Sequence, residues 1–201
     1  MLTCVDCGAV FSLSEDRRKR YPGWKPKQCP ACYKRAKARP ELNLTTEEVL
    51  ETFSGGPDTG IFTDGSCERN PDGPGGWGVV KVIENRVIAQ RHGHAEVTTN
   101  NRMELTALIE AFGMLAVHEE FVVYTDSKYC QNIATKWANA WKRNGWTRGK
   151  KREEVQNLDL VRELHELVQT HPRTRVEWAK GHNGWRWNEY ADSLSTAYAR
   201  G

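Results

Sequence analysis

The residues best suited to chemistry in this sequence are acids that close apolar runs. Ile61-Phe62-Thr63 is a β-branched and aromatic lead-in to Asp64, and Gly65 follows, a residue that lets backbone or ligand approach closely. A central strand presents a carboxylate at its end in this way, although an Asp-Gly after a strand, taken alone, is also an ordinary turn. Phe121-Val122-Val123-Tyr124-Thr125 repeats the pattern and ends at Asp126. Between the two runs, a helix capped by Thr98 or Thr99 is predicted to reach about Val117. Its buried stripe is Leu105, Leu108, Ile109, Phe112 and Leu115, with Glu104 beside the stripe at the edge of the packed face. A long helical crossover favours parallel pairing, which sets Asp64 and Asp126 at the same end of neighbouring strands. One structural turn does not explain that. A further acid, Asp192, lies on a helix predicted from Asn188 to Arg200.

The other chemistry-bearing group is sulfur. Cys4-Val5-Asp6-Cys7 and Cys29-Pro30-Ala31-Cys32 are two CxxC pairs about twenty residues apart, the spacing of a tetrahedral Cys4 zinc site. Each tight turn offers two thiolates to one ion, and a piece this short has little apolar surface with which to fold unaided. Two disulfides or a redox CxxC fit four cysteines in matched pairs less well on a chain with no secretion signal. The segment from about residue 3 to 39 also resembles a bacterial zinc-ribbon family in Cys-x-x-Cys-Gly, the following Phe11 and the spacing around Pro26 to Cys32. Such a ribbon can grip nucleic acid or a protein. Ten Lys/Arg against three Asp/Glu in residues 1–40 favour nucleic acid.

The elements that must position these groups follow from length and pattern. At 201 residues the chain holds one domain of ordinary size plus a small appendage. The expected organisation is a ribbon over 1–40, a linker over 41–58 and a catalytic domain over 59–201. Within the linker, Thr45-Thr46-Glu47-Glu48 caps a short helix ending near Phe53, and Ser54-Gly55-Gly56-Pro57 breaks it. Strands are predicted at 60–66, 76–83 and 86–94 as an antiparallel meander, then at 121–125 and 174–178. Helical material follows Ser127, and Val155 to Thr170 reads as another helix. The order βββαβ, helices, βα predicts an α/β fold with a mixed five-stranded sheet flanked by helices. His92 and His94 alternate on one strand face, the pattern of an ordinary sheet surface rather than a metal site.

No apolar run approaches the eighteen or so residues of a membrane span, and no apolar signal core follows the N-terminus, so a soluble, cytoplasmic, monomeric protein is expected. Net charge is only +3, but residues 136–152 carry seven Lys/Arg and no acid, interleaved with Trp137, Trp141 and Trp146. Basic residues among aromatics suit a polyanion with stackable faces, meaning nucleic acid.

Five stretches resemble type 1 ribonuclease H across about residues 59–200. They are Phe-Thr-Asp64-Gly-Ser-Cys, Thr-Thr-Asn-Asn-Arg-Met-Glu104-Leu, Tyr-Thr-Asp126-Ser-Lys-Tyr, Lys-Gly-His182-Asn-Gly and Asn-Glu-Tyr-Ala-Asp192. The resemblance implies hydrolysis of the RNA strand of an RNA/DNA hybrid to 5′-phosphate and 3′-hydroxyl ends. Four converging carboxylates would repel one another without cations, and hard oxygen ligands suit two Mg²⁺, or Mn²⁺, about 3.5–4 Å apart. Asp64, with Gly65 beside it, is expected to bridge the ions, Glu104 and Asp126 to complete one and Asp192 the other. His182 is implied in proton transfer or product release. Substrate contacts are implied for the loop around Cys67, for Asn70, Thr99, Asn100, Asn101, Lys128, Asn157 and Asn188, and for Trp137 near the DNA strand. Asn residues also serve turns and helix caps, and both roles can hold. Two departures weaken the match: Lys128 replaces the Gln or Met common there, and Val97 replaces an Arg of a DNA-phosphate pocket that Thr99 and Asn157 otherwise match. Cys67 and Cys130 are expected reduced and outside any zinc site. The competing readings are a catalytically silent hybrid-binding adaptor and a DNA nuclease on the same sheet.

Overall fold

Hydrogen-bonded pairing begins near the N-terminus, where β1 (Leu2–Thr3) runs antiparallel to β2 (Val10–Phe11), with Leu2 opposite Phe11. The computed structural model describes residues 1–4, 8–13, 15, 19, 23, 25–27, 29–30, 44–181 and 184–200. The chain divides into two units, Met1–Asn43 and Leu44–Gly201. In the first, the turn after β1 closes through Gly8 N–H donating to Cys4 O and Cys4 N–H donating to Ala9 O. Cys4 and Cys29 form one buried cluster against Phe11.

The second unit opens with α1 (Thr46–Thr52), held by a capping box in which Thr45 and Glu48 satisfy each other's backbone N–H. Its sheet is built from β3 (Gly60–Cys67), β4 (Gly73–Ile83), β5 (Arg86–Thr98), β6 (Val122–Thr125) and β9 (Arg175–Trp178). The strand order is β5-β4-β3-β6-β9, antiparallel through the first three and parallel from β3 to β6 to β9. This is the mixed five-stranded sheet read from the pattern. Helix α2 (Asn100–Phe112) makes the crossover, capped by Thr99. A long helical stretch follows: α3 (Lys128–Asn132), a π-helical turn over Ile133–Trp137, and α4 (Ala138–Arg143). A small ladder of β7 (Thr147–Arg148) and β8 (Glu153–Glu154) leads to α5 (Leu158–Thr170). Helix α6 (Arg186–Ser195) closes the domain, with a 3-10 turn at Ala197–Ala199.

Period-2 alternation puts apolar side chains on both faces of the sheet. On one face Ile61, Val79 and Val123 pack under Leu105, Leu108 and Phe112 of α2 and Val161 and Leu164 of α5. On the other, Phe62, Val80 and Val82 pack under Val49 of α1 and Trp187, Tyr190 and Leu194 of α6. Gly76 and Gly78 let α6 lie against β4: a Cβ on Gly78 would stand 2.4 Å from Ala191 O, and one on Gly76 2.2 Å from Ser195 O.

Several boundaries differ from the sequence reading. β4 starts at Gly73 inside the Pro/Gly loop, and β5 runs on to Thr98, because the two stay paired across an irregularity between Gly73 and Gly75. α2 stops at Phe112 rather than Val117. Lys81 Nζ takes Met114 O, and Glu119 accepts from Ala116 N–H, so side chains serve the backbone that a longer helix would have paired. α5 starts at Leu158 rather than Val155, since Asn157 has a left-handed φ of 55° and Glu153–Glu154 is strand. α6 starts two residues before Asn188 and ends at Ser195. The short helix expected within 41–58 forms as α1, but its Val49 is 2% exposed in the core, so that helix packs on the sheet.

Candidate active site

Thr63 pairs with Thr125 across the parallel β3/β6 ladder, so Asp64 and Asp126, the next residue of each segment, emerge side by side. The third acid arrives because Gly65 has no side chain. A Cβ there would lie 2.2 Å from Glu104 N and 2.4 Å from Met103 C, so the first turn of α2 rests directly on the strand. Carboxylate oxygens of Asp64, Glu104 and Asp126 consequently all lie within 4.8 Å of one another.

Glu104 is not at the edge of the packed face, as its place beside the apolar stripe suggested. It is 6% exposed, and its Oε2 is buried without a hydrogen-bond partner. Burial holds its carboxyl well above the usual range, and the charges of Asp64, Asp126 and Asp192 push it further the same way. Ser195 Oγ donates to Asp64 Oδ2 at 2.6 Å and has Asp192 O at 2.9 Å, joining the end of α6 to β3. Asp192 is half-buried and outside the three-acid cluster. Three acids this close, two of them buried and Asp126 partly so, need a proton or a cation among them. An all-oxygen donor set with an unpartnered buried oxygen fits a hard divalent ion. Gly181 packs against Asp126, where a Cβ would be 2.6 Å from Oδ2. His182, next along the chain, lies outside the described residues, as do Cys7 and Cys32.

The expected substrate contacts divide by location. Asn70 Oδ1 accepts from Asn100 N–H at 3.1 Å, so Asn70 helps cap α2, while Asn101 beside it is exposed. Cys67 Sγ sits 3.6 Å from Thr98 O and 3.7 Å from Gly73 O. Thr99 and Asn157 are joined through Arg102, whose N–H donates to Thr99 Oγ1 and whose Nη1 reaches Asn157 Oδ1 at 3.5 Å. Arg102 also pairs with Asp159 through both Nη atoms, and Val97 is 71% exposed nearby in the chain. Trp137 is 39% exposed, whereas Trp141 and Trp146 pack on the core. Lys128 is exposed at the start of α3. Asn188 is a correction: only 1% of it is exposed, because α6 turns it into the domain, and its side chain is not available to touch a ligand directly.

Three participants were not singled out in the sequence. Ser195 lies one helical turn after Asp192, a spacing that could have flagged it. Arg102 stands two residues before Glu104, inside a motif already noticed. Trp178 closes β9 level with Thr125, and its Nε1–H donates to Asp126 O at 2.9 Å.

Comparison with known proteins gives a consistent picture. A family model described as RNase H matches residues 57–200. A ribonuclease H of Erythrobacter litoralis is 45% identical over 141 residues, covering 69% of this chain and 94% of that protein. One from Paracoccus denitrificans is 46% identical, covering 68% of this chain and 88% of its own length. Among solved structures, LC9-RNase H1, described as a type 1 RNase H with the type 2 active-site motif, superposes with a TM-score of 0.59 at 31% identity, covering 73% of this chain and 75% of that one.

Proposed function

This chain belongs to the ribonuclease H family, and from that premise we propose that it hydrolyses the RNA strand of RNA/DNA hybrids to 5′-phosphate and 3′-hydroxyl ends. The observation that carries this reading is the convergence of Asp64, Glu104 and Asp126 within 4.8 Å, with a buried Glu104 oxygen left unpartnered. Two divalent cations would be held here, with Asp64 shared between them, Glu104 and Asp126 on one and Asp192 on the other. Mg²⁺ is the natural choice for this donor set, and Mn²⁺ fits it too. What such a pair supplies when bound is an activated water and a counter-charge for the leaving oxygen. Ser195 keeps one oxygen of Asp64 oriented, and Gly65 keeps Glu104 against the strand. His182 moves the proton or helps release product.

Discrimination of RNA from DNA rests on 2′-hydroxyls, which Asn70, Asn100, Asn101 and the Cys67 loop would contact, and the hydrogen bond between Asn100 N–H and Asn70 Oδ1 supports that grouping. Thr99 and Asn157 receive a DNA phosphate in spite of Val97, with Arg102 linking the two while its own charge is paired with Asp159. Trp137 meets the DNA strand from the basic protrusion. In the N-terminal unit, Cys4, Cys7, Cys29 and Cys32 hold one structural Zn²⁺. The joint burial of Cys4 and Cys29 supports this. That unit adds phosphate contacts and raises hybrid affinity in a salt-dependent way.

The test is cleavage of a labelled hybrid by the full chain, with Mg²⁺ and with chelator. Asp126→Asn should abolish cleavage and spare hybrid binding. Equal cleavage of duplex DNA, or cleavage that survives chelator, would overturn the reading.

A further inference from the structure

Lys128 occupies a position that helix energetics disfavour. It is the first residue of α3, after the Ser127 cap, where the unpaired N–H groups and the helix dipole make a cation unwelcome. Among the described residues no carboxylate pairs with it. What holds it is an aromatic ring. Its Nζ stands 4.2 Å from the centroid of Trp178, within the range of a cation–π contact.

The ring itself is fixed from the other side. Trp178 ends β9 in register with Thr125, and its indole N–H donates to the carbonyl of Asp126. One side chain therefore ties the backbone of a cluster acid to an ammonium group two residues along. Trp178 remains 39% exposed, so neither ring nor ammonium is packed away in the core. A lysine on a flexible four-carbon stem ordinarily samples many rotamers, and a platform removes that freedom before any ligand arrives.

We propose that Trp178 is a positioning residue that presents the Lys128 ammonium at the rim of the acidic cleft as a preformed contact for one backbone phosphate of the bound nucleic acid. This rests on the hybrid-cleaving reading above and adds to it the chemistry of one subsite. An ammonium is a compact charge without the planar fork of Arg, so it suits a phosphate oxygen rather than the patterned edge of a base. As a charged group, Lys128 adds a salt-sensitive contact.

The experiment is hybrid binding by the full chain without added Mg²⁺ or Mn²⁺, where no cleavage intervenes, across a series of salt concentrations. Wild type, Lys128→Gln, Trp178→Leu, Trp178→Phe and the Lys128→Gln/Trp178→Leu pair are compared, with thermal melts to confirm folding. Losing one phosphate contact should weaken binding about three- to tenfold at low salt and reduce the slope of log affinity against log salt by about 0.7–0.9. Lys128→Gln should show both. Trp178→Leu should reproduce most of the affinity loss, and Trp178→Phe, which keeps a ring, should lose less. The double variant should bind no worse than Lys128→Gln alone, because the ring acts through the ammonium. An unchanged salt slope in Lys128→Gln, or a double variant whose loss is the product of the single losses, would overturn the proposal. If Trp178→Leu fails to fold, Trp178→Phe in its place decides the coupling by the same comparison. A wild-type chain that binds hybrid but never cleaves it with Mg²⁺ would sink the functional reading and leave these slopes readable, so the two failures look different.

Discussion

Gly65 shows how one missing side chain organises the site. The three atoms nearest a Cβ built there are all α2 backbone, namely Glu104 N, Met103 C and Glu104 Cα, and helix backbone cannot rotate aside as a side chain can. Gly65→Ala should push the first turn of α2 off the sheet and carry Glu104 away from Asp64. The expected result is a loss of about 2–3 kcal/mol in thermal or denaturant unfolding, together with loss of Mg²⁺-dependent cleavage. Gly145→Ala is the useful contrast. Its φ of 70° costs something, but nothing stands within 4 Å, so a loss of only about 1 kcal/mol with cleavage retained is expected. Ser195→Ala tests a second link. It removes the donor to Asp64 Oδ2 from a fully buried position, and should cost about 1–3 kcal/mol and raise the Mg²⁺ concentration needed for half-maximal cleavage.

Among the elements, the segment between α2 and β6 is held by an ion pair rather than by helix. Lys81 Nζ from β4 meets Glu119 Oε1 at 2.5 Å, lies 4.8 Å from the Phe121 ring centroid and reaches Met114 O. The hydrogen bond from Lys81 is the main reason the Glu119 carboxyl sits below its ordinary range. A carboxyl depressed in the folded state adds stability above its unfolded pKa, and loses it as pH falls through the folded value. Glu119→Gln should therefore lower Tm at pH 7 by a few degrees, on the basis of about 1–2 kcal/mol for a charged hydrogen bond in a domain of this size. The difference from wild type should shrink as pH drops below the ordinary glutamate range and through the lower folded value, where wild type is protonated too. Melts of both proteins at pH 7 and pH 3.5 check the sign. A gap that widens on acidification would mean that Lys81 and Glu119 do not stabilise the fold as a pair.

For the whole molecule, the catalytic unit begins at Leu44, before the residues matched by the family model. Val49 fills the core under Trp187 and Tyr190, and Phe53 and Leu44 pack beside it. Gly55 O accepts from Arg186 N–H at 2.8 Å, and Phe53 O accepts from Arg186 Nε. Two truncations should therefore differ. Removing residues 1–43 should leave the Tm of the catalytic unit nearly unchanged, whereas removing 1–57 should lower it by several degrees, since burial of Val49 alone is worth about 1.5–3 kcal/mol. The shorter deletion is also the right one for the N-terminal unit. If that unit adds phosphate contacts, its loss should weaken hybrid binding most at low salt and flatten the salt dependence.

The positions of the acids were legible because each depends on a local pattern. Apolar runs ending in Asp64 and Asp126, with a helical crossover between them, are enough to set both at one end of a parallel pair, and the β3/β6 register agrees. The mixed sheet was readable for the same reason. Periodicity within a segment, however, says which face is apolar and not what covers it. Glu104 is buried because Gly65 lets α2 come down, Ser195 reaches Asp64 across 131 residues of chain, and α1 packs into the core where composition suggested a linker. The left-handed Asn157 that delays α5, and the ring of Trp178 under Lys128, likewise depend on neighbours far along the chain. Type and spacing of residues determined which groups do the chemistry. Their protonation, orientation and depth were decided only by tertiary contact, since those properties belong to the surroundings that folding assembles.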